Sequence, residues 1–320
     1  MKQEWLDRPE AGSVVGYRIM SWFSMLCGRT AARLVLYPIT AFYLLRRGPE
    51  RRASRNYLQR VLGRKATLWD VAKQIHCFAS VTLDRIFLLS ERFKRFDIKV
   101  FGLDALRAQW EKKQGVLVFG SHLGSFEALR VLGEFRADVK VRVVIDMEQN
   151  PTITRILHAY NPELARSIIN ARQDGAVTAL AIKEALDETA LVTLLVDRAR
   201  PGNQVVTANF LGHPAPFPTG PWQIAAALKV PVVLCFGLYR GGNRYDLHFE
   251  VFDEKLQLER SDRQASLNAI IQRFADRLAH YTRDAPYNWF NFYDFWQTHA
   301  PPPAVGDTRR AGDAVERQPD

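Results

Sequence analysis

Short apolar runs alternate with helical stretches along most of this sequence, and that alternation constrains its fold more than any other feature. The runs are rich in valine, isoleucine and leucine and cover residues 115–120, 139–145, 191–197, 231–239 and 245–252. Apolar residues recur at helical spacing over residues 68–89, 126–135, 176–186, 221–228 and 260–283. Strands that alternate with helices are typical of α/β folds. We therefore predict a mixed, mostly parallel sheet sandwiched by helices.

The composition is that of an ordinary globular chain. Its 320 residues are 47% hydrophobic and 24% charged, which is enough for one large domain or two small ones. A disordered chain, a collagen-like repeat and a disulfide-stapled miniprotein are excluded. Cys27, Cys77 and Cys235 lie far apart and form no C-x-x-C pair. We expect a reducing compartment, with no metal site and no disulfide framework.

An apolar and aromatic segment at residues 14–45 precedes a strongly basic one at residues 46–65. The basic segment holds eight basic residues and a single acidic one, Glu50. Such a patch indicates a polyanionic partner, which is nucleic acid, an anionic membrane surface or an acidic protein. The neighbouring aromatic residues are more typical of a core or an interface than of platforms for stacked bases. Nucleic acid is therefore the least favoured partner.

The apolar segment is short for a bilayer span. Its longest uncharged run, residues 34–45, has 12 residues, whereas a span takes about 18–20. Arg18, Arg29 and Arg33 interrupt the segment, and we expect Pro38 to kink a helix there. No cleavage site for a signal peptide follows. Three interpretations stay open: an apolar helical arm in the membrane interface, a single tilted span with cytoplasmic arginines, or a helix pair packed on the core.

These patterns predict three regions. Residues 1–65 form a membrane-associating arm with its basic segment, and residues 66–296 form the α/β domain. Residues 297–320 begin near three consecutive prolines and continue with small and charged residues. We expect this tail to be disordered.

The segment at residues 116–127 carries the strongest chemical signal. An apolar strand ends at Gly120, His122 lies on the following turn, and Glu127 stands near a helix start. On one regular helix, side chains five positions apart point about 140° apart, so a contact between them needs the bend after the strand. Glu127 can then accept a hydrogen bond from one ring nitrogen of His122 and leave the other as a general base. A histidine satisfied by local backbone fits the same pattern.

Other catalytic patterns are missing from the sequence. A nucleophile elbow requires serine at the position of His122. The chain contains no H-E-x-x-H, no G-x-x-x-x-G-K-[ST] and no G-x-G-x-x-G, so neither a zinc protease motif nor a nucleotide-binding loop is indicated.

The His122-x4-Glu127 pattern resembles the His-x4-Asp/Glu motif of the lysophospholipid acyltransferase superfamily. The closer resemblance is to the late acyltransferases of lipid A biosynthesis, and it covers roughly residues 12–253. It includes Asn150-Pro151, Asp197 at a strand end, the run Phe210-Leu-Gly-His-Pro-Ala with Gly220 downstream, and Pro231-Val-Val. Residues 52–55, 126–130 and 241–246 are also similar to acyltransferases of aryl polyene and xanthomonadin pigment clusters.

The resemblance implies transfer of an acyl chain from an acyl-carrier-protein or coenzyme A thioester to a hydroxyl of a (glyco)lipid acceptor. It implies that His122 is the base and that Glu127 orients it, with no metal and no cofactor besides the thioester co-substrate. It also implies a location on the cytoplasmic face of the bacterial inner membrane. The partners would then be the thioester donor, the lipid acceptor and the anionic membrane surface.

Four further residues are weaker candidates for the site. We expect the backbone N–H groups at Gly124-Ser125 and the Arg198 side chain to stabilise the oxyanion. Asp197 lies at the carboxyl end of a strand, where open α/β sheets bind ligands. Asn150 and Ser125 equally fit turn and cap residues, and Arg198 equally fits an ion pair with an acidic neighbour such as Asp197.

Two positions depart from the lipid A branch. Asp146 stands where that branch usually has arginine, and Arg198 stands where it has a polar residue other than arginine. Arg198 can replace the missing charge, so the identity of the acceptor stays open. Two other functions also stay open: a noncatalytic membrane-bound binder of lipid or carrier protein, and a thioesterase-like hydrolase. The aromatic residues 287–296 fit a packing plug or the mouth of an acyl tunnel.

Overall fold

Helices make up residues 14–88 apart from short connections, and strands alternate with helices after them. The structure, a computed structural model, describes residues 14–89, 93–131, 140–148, 154–155, 157, 162–171, 175–199 and 202–296. The described helices are α1 (Val14–Arg46), α2 (Gly48–Leu62), α3 (Leu68–Leu88), α4 (Leu103–Trp110), α5 (Pro162–Arg166), α6 (Gly175–Asp187), α7 (Gly220–Leu228) and α8 (Arg263–Asp284). The strands are β1 (Asp97–Phe101), β2 (Val116–Gly120), β3 (Val141–Ile145), β4 (Ile168–Asn170), β5 (Leu191–Leu195), β6 (Val205–Phe210), β7 (His213–Pro218), β8 (Val232–Tyr239) and β9 (Arg244–Asp253). The predicted tail and Asn150 lie outside the described residues.

Seven strands form one sheet in the order β1-β9-β8-β2-β5-β3-β4. The strands β8, β2, β5, β3 and β4 run parallel, and β9 runs antiparallel to β8. The edge strand β1 pairs parallel to β9. This topology confirms the predicted α/β class with a mostly parallel sheet. The strands β6 and β7 form a separate antiparallel hairpin.

The central strand β2 is buried on both of its faces. Leu117 and Phe119 join an apolar cluster that also contains side chains of α2, α6, α7 and α8. Val116 and Val118 point to the opposite face, where they pack with side chains of α4 and β9. Successive strand residues point to opposite faces, and a parallel strand covered on both sides reads as a continuous apolar run. That is why residues 115–120 are apolar throughout.

The N-terminal helix α1 confirms the predicted apolar helical arm, and its break falls at Gly28. Gly28 has φ 83° and ψ 167°, while Pro38, where we expected the kink, lies inside the helix. Glycine adopts positive φ at little cost because it has no Cβ. Beyond the break, Ala32 and Leu36 are buried in a cluster with residues of α3. No helix in the described part of the chain is both long enough and apolar enough to cross a bilayer.

A buried ion pair attaches the arm to the domain. Arg29 lies 2.6 Å from the carboxylate of Asp84 on α3, and Asp84 is fully buried. The hydroxyl of Tyr245 on β9 donates to the same carboxylate at 2.8 Å. A buried carboxylate needs such partners, because an unpaired one is strongly destabilising. The arm is therefore fixed against α3 and the strand β9.

Several elements differ from the sequence prediction. Phe126–Val131 form a 3₁₀ helix within the helix predicted over residues 126–135, of which residues 132–135 lie outside the described residues. The strands β1 and β4 and the β6–β7 hairpin were not predicted. The strand β4 has three residues, and β7 contains three prolines, which are rare in strands because they lack the backbone N–H.

Candidate active site

His122 lies at the carboxyl edge of the sheet, directly after β2. The parallel neighbour β5 pairs with β2 so that Gly120 stands opposite Leu195. The chain therefore leaves both strands side by side, and the second residue after each strand is His122 in one case and Asp197 in the other. This edge is where open α/β sheets form their sites.

Asp197 is the carboxylate that contacts the His122 ring. Its Oδ1 lies 2.8 Å from His122 Nδ1. Its Oδ2 accepts hydrogen bonds at 3.1 Å from the backbone N–H of His122 and at 3.1 Å from the indole N–H of Trp289. Asp197 is fully buried, whereas the His122 side chain is 33% exposed. Because an ionised carboxylate only accepts, Nδ1 carries the proton and Nε2 is left as the basic nitrogen.

Glu127, the predicted partner of the His122 ring, contacts other groups. Its Oε1 lies 2.5 Å from Nε of Arg85 on α3. Its Oε2 accepts a hydrogen bond from the Ser125 hydroxyl at 3.0 Å. The expected contact between Glu127 and His122 is therefore wrong. The pairing of β2 with β5 brings a carboxylate from a distant part of the chain to the ring instead.

The backbone N–H groups expected to stabilise an oxyanion are already used. Gly124 donates to the carbonyl of Asn288 at 2.8 Å, and Ser125 donates to the carbonyl of Gly237 at 2.7 Å. The Ser125 side chain is buried against Glu127. Our expectation for these two amides is therefore wrong, and they fix the turn after His122 instead.

Gly124 is required where it stands. Its φ is +70°, and a Cβ added to it would lie 1.9 Å from the carbonyl oxygen of Gly237 on β8. A side chain at this position meets both a steric clash and an unfavourable backbone conformation. The close approach sets the distance between the His122 turn and the neighbouring strand.

Arg198 is bonded to a backbone carbonyl rather than to the Asp197 carboxylate. Its Nη2 donates to the carbonyl oxygen of Phe290, and its guanidinium carbon lies 5.7 Å from the centre of the Tyr293 ring. Its Nε is buried and has no hydrogen-bond partner within the described ranges. The positive charge of this side chain acts on the His122 ring.

The charges around the pair keep the imidazole neutral. Burial lowers the pKa of His122, and the positive charge of Arg198 lowers it further, while Asp197 acts in the opposite direction. Burial alone would raise the pKa of Asp197, but the charge that His122 carries when protonated, the hydrogen bond from its ring and the charge of Arg198 bring the pKa of Asp197 below its ordinary value. At neutral pH the site therefore contains an uncharged imidazole held by an ionised carboxylate.

Residues 288–290, which we call the C-terminal strap, lie antiparallel to residues 122–124. Phe290 donates its backbone N–H to the carbonyl of His122 at 2.9 Å, and Leu123 pairs with Trp289. Trp289 is fully buried. We missed its contact with Asp197, because the aromatic run at 287–296 indicates packing without identifying a partner.

The Phe210–Gly220 motif forms the turn of the β6–β7 hairpin. Phe210 pairs with His213, and the two residues between them, Leu211 and Gly212, have φ of 52° and 83°. Positive φ at both positions is typical of a type I′ turn. The Phe210 ring lies 5.1 Å from that of Trp289, so the hairpin supports the C-terminal strap.

The fold and this site define a class of enzyme. A neutral imidazole oriented by a buried carboxylate, at the carboxyl edge of an α/β sheet, can remove a proton from a hydroxyl group. The family model for bacterial lipid A biosynthesis acyltransferases matches residues 21–298, and the chain belongs to this family. No curated protein matches the chain. The predicted relation to lipid A acyltransferases is confirmed, and with it acyl transfer in lipid biosynthesis. Members of this family are generally associated with membranes.

Proposed function

We propose that this protein transfers an acyl chain from a thioester, carried on acyl carrier protein or coenzyme A, to a hydroxyl of a (glyco)lipid. The observation that carries this proposal is the His122–Asp197 pair in a chain of an acyltransferase family. The pair supplies a base at a partly exposed position, and burial keeps its pKa below the ordinary histidine value. A noncatalytic binder has no use for such a base.

The reaction follows from that base. His122 Nε2 removes the proton of the acceptor hydroxyl while its oxygen attacks the thioester carbonyl, and the carbonyl electron pair moves to oxygen. The buried charge of Asp197 stabilises the imidazolium that forms. The tetrahedral intermediate then collapses, the C–S bond breaks, and the departing sulfur takes the proton from Nε2. The products are a lipid ester and a free thiol, with atoms and charges balanced.

Arg198 is our candidate for stabilising the oxyanion of the intermediate. The positive charge of Arg198, which acts on the His122 imidazole, supports this role. The amides of Gly124 and Ser125 already donate to other carbonyl groups, whereas Arg198 carries a positive charge that can stabilise the oxyanion. A donor directed at developing charge in a site shielded from water contributes strongly to rate.

Glu127 belongs to the site through Arg85. The ion pair places the Arg85 charge near His122, where it also contributes to lowering the pKa of the ring. We propose that Glu127 holds Arg85 in place rather than orienting the base. Asn150 stays a candidate from sequence alone.

We propose that the protein lies on the membrane surface through an exposed apolar face, on the cytoplasmic side of the inner membrane. This face consists of side chains of α1 and the start of α3 that are 54–77% exposed: Ile19, Trp22, Leu26, Leu34, Tyr37, Phe42, Leu45, Leu68 and Trp69. Tyr37 stacks on His76 of α3 at 4.8 Å, which connects the two helices. Soluble proteins rarely expose so large an apolar area, whereas an interfacial helix places it among lipids.

Fewer basic residues are free to meet lipid headgroups than the sequence implies. Arg64 pairs with Asp70 at 2.8 Å, and Arg60 lies over the Trp296 ring at 4.4 Å. Arg46, Arg52 and Lys65 are exposed. We propose that these three face the anionic headgroups or an acidic carrier protein.

The similarity to aryl polyene and xanthomonadin acyltransferases bears on the acyl chain. This similarity rests on residues 52–55, 126–130 and 241–246. Residues 126–130 directly follow the turn that carries His122. We propose that the acyl chain transferred is a fatty or an aryl polyene acyl group. The mass of the esterified product distinguishes the two.

The experiment that tests this function compares matched variants of the purified protein. Lauroyl-acyl carrier protein and lauroyl-CoA serve as donors, and a lipid A precursor and a lysophospholipid serve as acceptors. We expect His122→Ala to lower transfer by about 10²–10⁴-fold and Asp197→Asn to lower it by about 10²-fold. Glu127→Gln, the same change of carboxylate to amide, should cost clearly less.

Three outcomes would overturn parts of this proposal. Loss of activity in Glu127→Gln with activity retained in Asp197→Asn would make Glu127 the orienting residue. Thiol release that does not depend on the acceptor would favour the hydrolase. Lipid binding without any thioester turnover would favour the binder.

A further inference from the structure

We propose that Trp289 is a positioning residue for the reaction, acting through the hydrogen bond from its indole N–H to the carboxylate of Asp197. This inference rests on the proposed function, because it concerns the same base. It adds a residue to which no motif assigns a role.

The contacts of Asp197 divide between its two oxygens. Oδ1 faces the His122 ring at 2.8 Å, while Oδ2 receives the His122 backbone N–H and the Trp289 indole N–H, each at 3.1 Å. Two donors on Oδ2 fix the rotation of the carboxylate about its χ2 bond. Oδ1 is then directed at Nδ1, and the imidazole is held in one orientation. Groups that hold a ligating or catalytic side chain in place control how well it works.

The indole of Trp289 is packed among aromatic rings. Its ring contacts the rings of Tyr57, Phe210 and Phe295 at centroid distances of 4.9, 5.1 and 5.0 Å. The backbone carbonyl of Trp289 accepts a hydrogen bond from the buried amide of Gln74 at 2.7 Å. The donor therefore has little freedom to follow a carboxylate that moves.

The C-terminal strap is bonded at both of its ends to residues 122–124, which form the catalytic turn that carries His122. Phe290 donates to the His122 carbonyl, and Asn288 accepts from Gly124. Arg198 donates to the carbonyl of Phe290. The strap therefore contacts the catalytic turn, the carboxylate of Asp197 and the side chain of Arg198, with Trp289 at its centre.

Trp222 provides a matched comparison within the same core. It is also fully buried, and its ring lies 4.9 Å from that of Phe119. Its indole N–H, however, has no hydrogen-bond partner among the residues described. Trp289→Phe removes a donor from Asp197, whereas Trp222→Phe removes a similar volume from the same cluster and leaves the site intact.

The test compares these two variants in the full-length protein. We expect Trp289→Phe to lower kcat by about 10- to 100-fold, which is the effect of losing one hydrogen bond to a charged group, with KM for lauroyl-CoA nearly unchanged. Trp222→Phe should keep the wild-type kcat. Thermal unfolding of both variants establishes that each is folded.

A titration of His122 by NMR gives a readout that does not depend on substrate. In Trp289→Phe the carboxylate loses a donor, so its charge is less dispersed and attracts the imidazolium more strongly. The His122 pKa should therefore rise relative to Trp222→Phe. In the Asp197→Ala background, Trp289→Phe should cause no further loss of kcat, because the group it positions is absent.

The activity of the wild-type protein separates a wrong role for Trp289 from a wrong proposed function. If wild-type protein transfers acyl chains but Trp289→Phe matches Trp222→Phe in kcat and in the His122 titration, Trp289 is only a packing residue. Additive losses in the Asp197→Ala background would lead to the same conclusion. If the wild-type protein has no thioester-dependent activity, the proposed function fails, and the titration still reports whether Trp289 acts on the pair.

Discussion

Of the two residues in the catalytic pair, local sequence spacing identified His122 but not its partner. His122 was found because it follows an apolar strand and Gly120-Ser121. Its partner was assigned to Glu127, five positions away, but the ring contacts Asp197, which lies 75 positions away. The contact depends on the register of β2 against β5, and no local pattern encodes that register. The signal that the sequence offered for this partner was Asp197 at the end of a predicted strand.

The charge of Arg198 should affect the pH dependence of the reaction. Burial and Arg198 together lower the pKa of His122, so the acid limb of kcat/KM in the wild-type protein should lie below pH 6.5, the usual histidine value. Arg198→Gln removes a positive charge that disfavours the imidazolium. The His122 pKa should then rise, and the acid limb should move to higher pH.

Arg198→Lys is the control for that experiment, because it keeps the charge but not the planar guanidinium. Its acid limb should stay near that of the wild type, even where its rate falls through a poorer donor geometry. An acid limb that is the same in Arg198→Gln and in wild-type protein would show that the arginine charge does not reach the base.

Elements set the geometry of the site through their ends. The major strands and the long helices were predicted from periodicity, since β2, β5 and β8 are continuous apolar runs and α8 has a buried stripe. Proline-rich β7 and the short strand β4 escaped prediction, because proline opposes strand formation and three residues give no period. The Phe210–Gly220 motif was recognised, but its hairpin shape was not.

The close approach of the catalytic turn to β8 should make the protein sensitive to a side chain at Gly124. Gly124→Ala places a Cβ 1.9 Å from the carbonyl oxygen of Gly237 and keeps a φ of +70°. We expect the free energy of unfolding to fall by at least about 2 kcal/mol, with activity lost as the turn shifts. Denaturant unfolding measures the change.

Gly175→Ala is the matched substitution, because a Cβ there meets no atom within 4 Å. It stands at the start of α6 and should leave both stability and activity close to those of wild-type protein. Equal unfolding free energies for the two variants would mean that the turn and β8 are not in close contact.

The whole molecule combines a rigid site with an exposed apolar face. Asp84 and Arg29 join the arm to the domain, so the two cannot separate without leaving a buried charge unpaired. The sequence predicted the apolar arm and the basic segment. It did not show that several arginines are used in internal contacts, since those contacts depend on how α2 packs.

Membrane binding should depend on the exposed apolar face of α1. Leu34→Glu places a charge on the exposed apolar face, where Leu34 is 67% exposed. Binding to vesicles of phosphatidylcholine and phosphatidylglycerol should weaken by about 10- to 100-fold, because a buried leucine contributes about 1.5–3 kcal/mol. Co-flotation with the vesicles measures it.

Leu180→Glu is the control for membrane binding. Leu180 lies on α6 away from the arm and is 56% exposed, so its substitution should leave vesicle binding unchanged. Equal weakening by both variants would show that the effect comes from net charge, and equal retention would remove the apolar face from the membrane account.

The central claim is that the His122–Asp197 pair drives acyl transfer to a lipid. The most direct measurement is mass spectrometry of total lipid extracts from the source bacterium carrying wild-type protein, His122→Ala or Asp197→Asn at equal protein levels. We predict that the same acylated lipid disappears in His122→Ala and declines strongly in Asp197→Asn, and its mass then identifies both the acceptor and the chain. An unchanged lipid profile in both variants would contradict the claim.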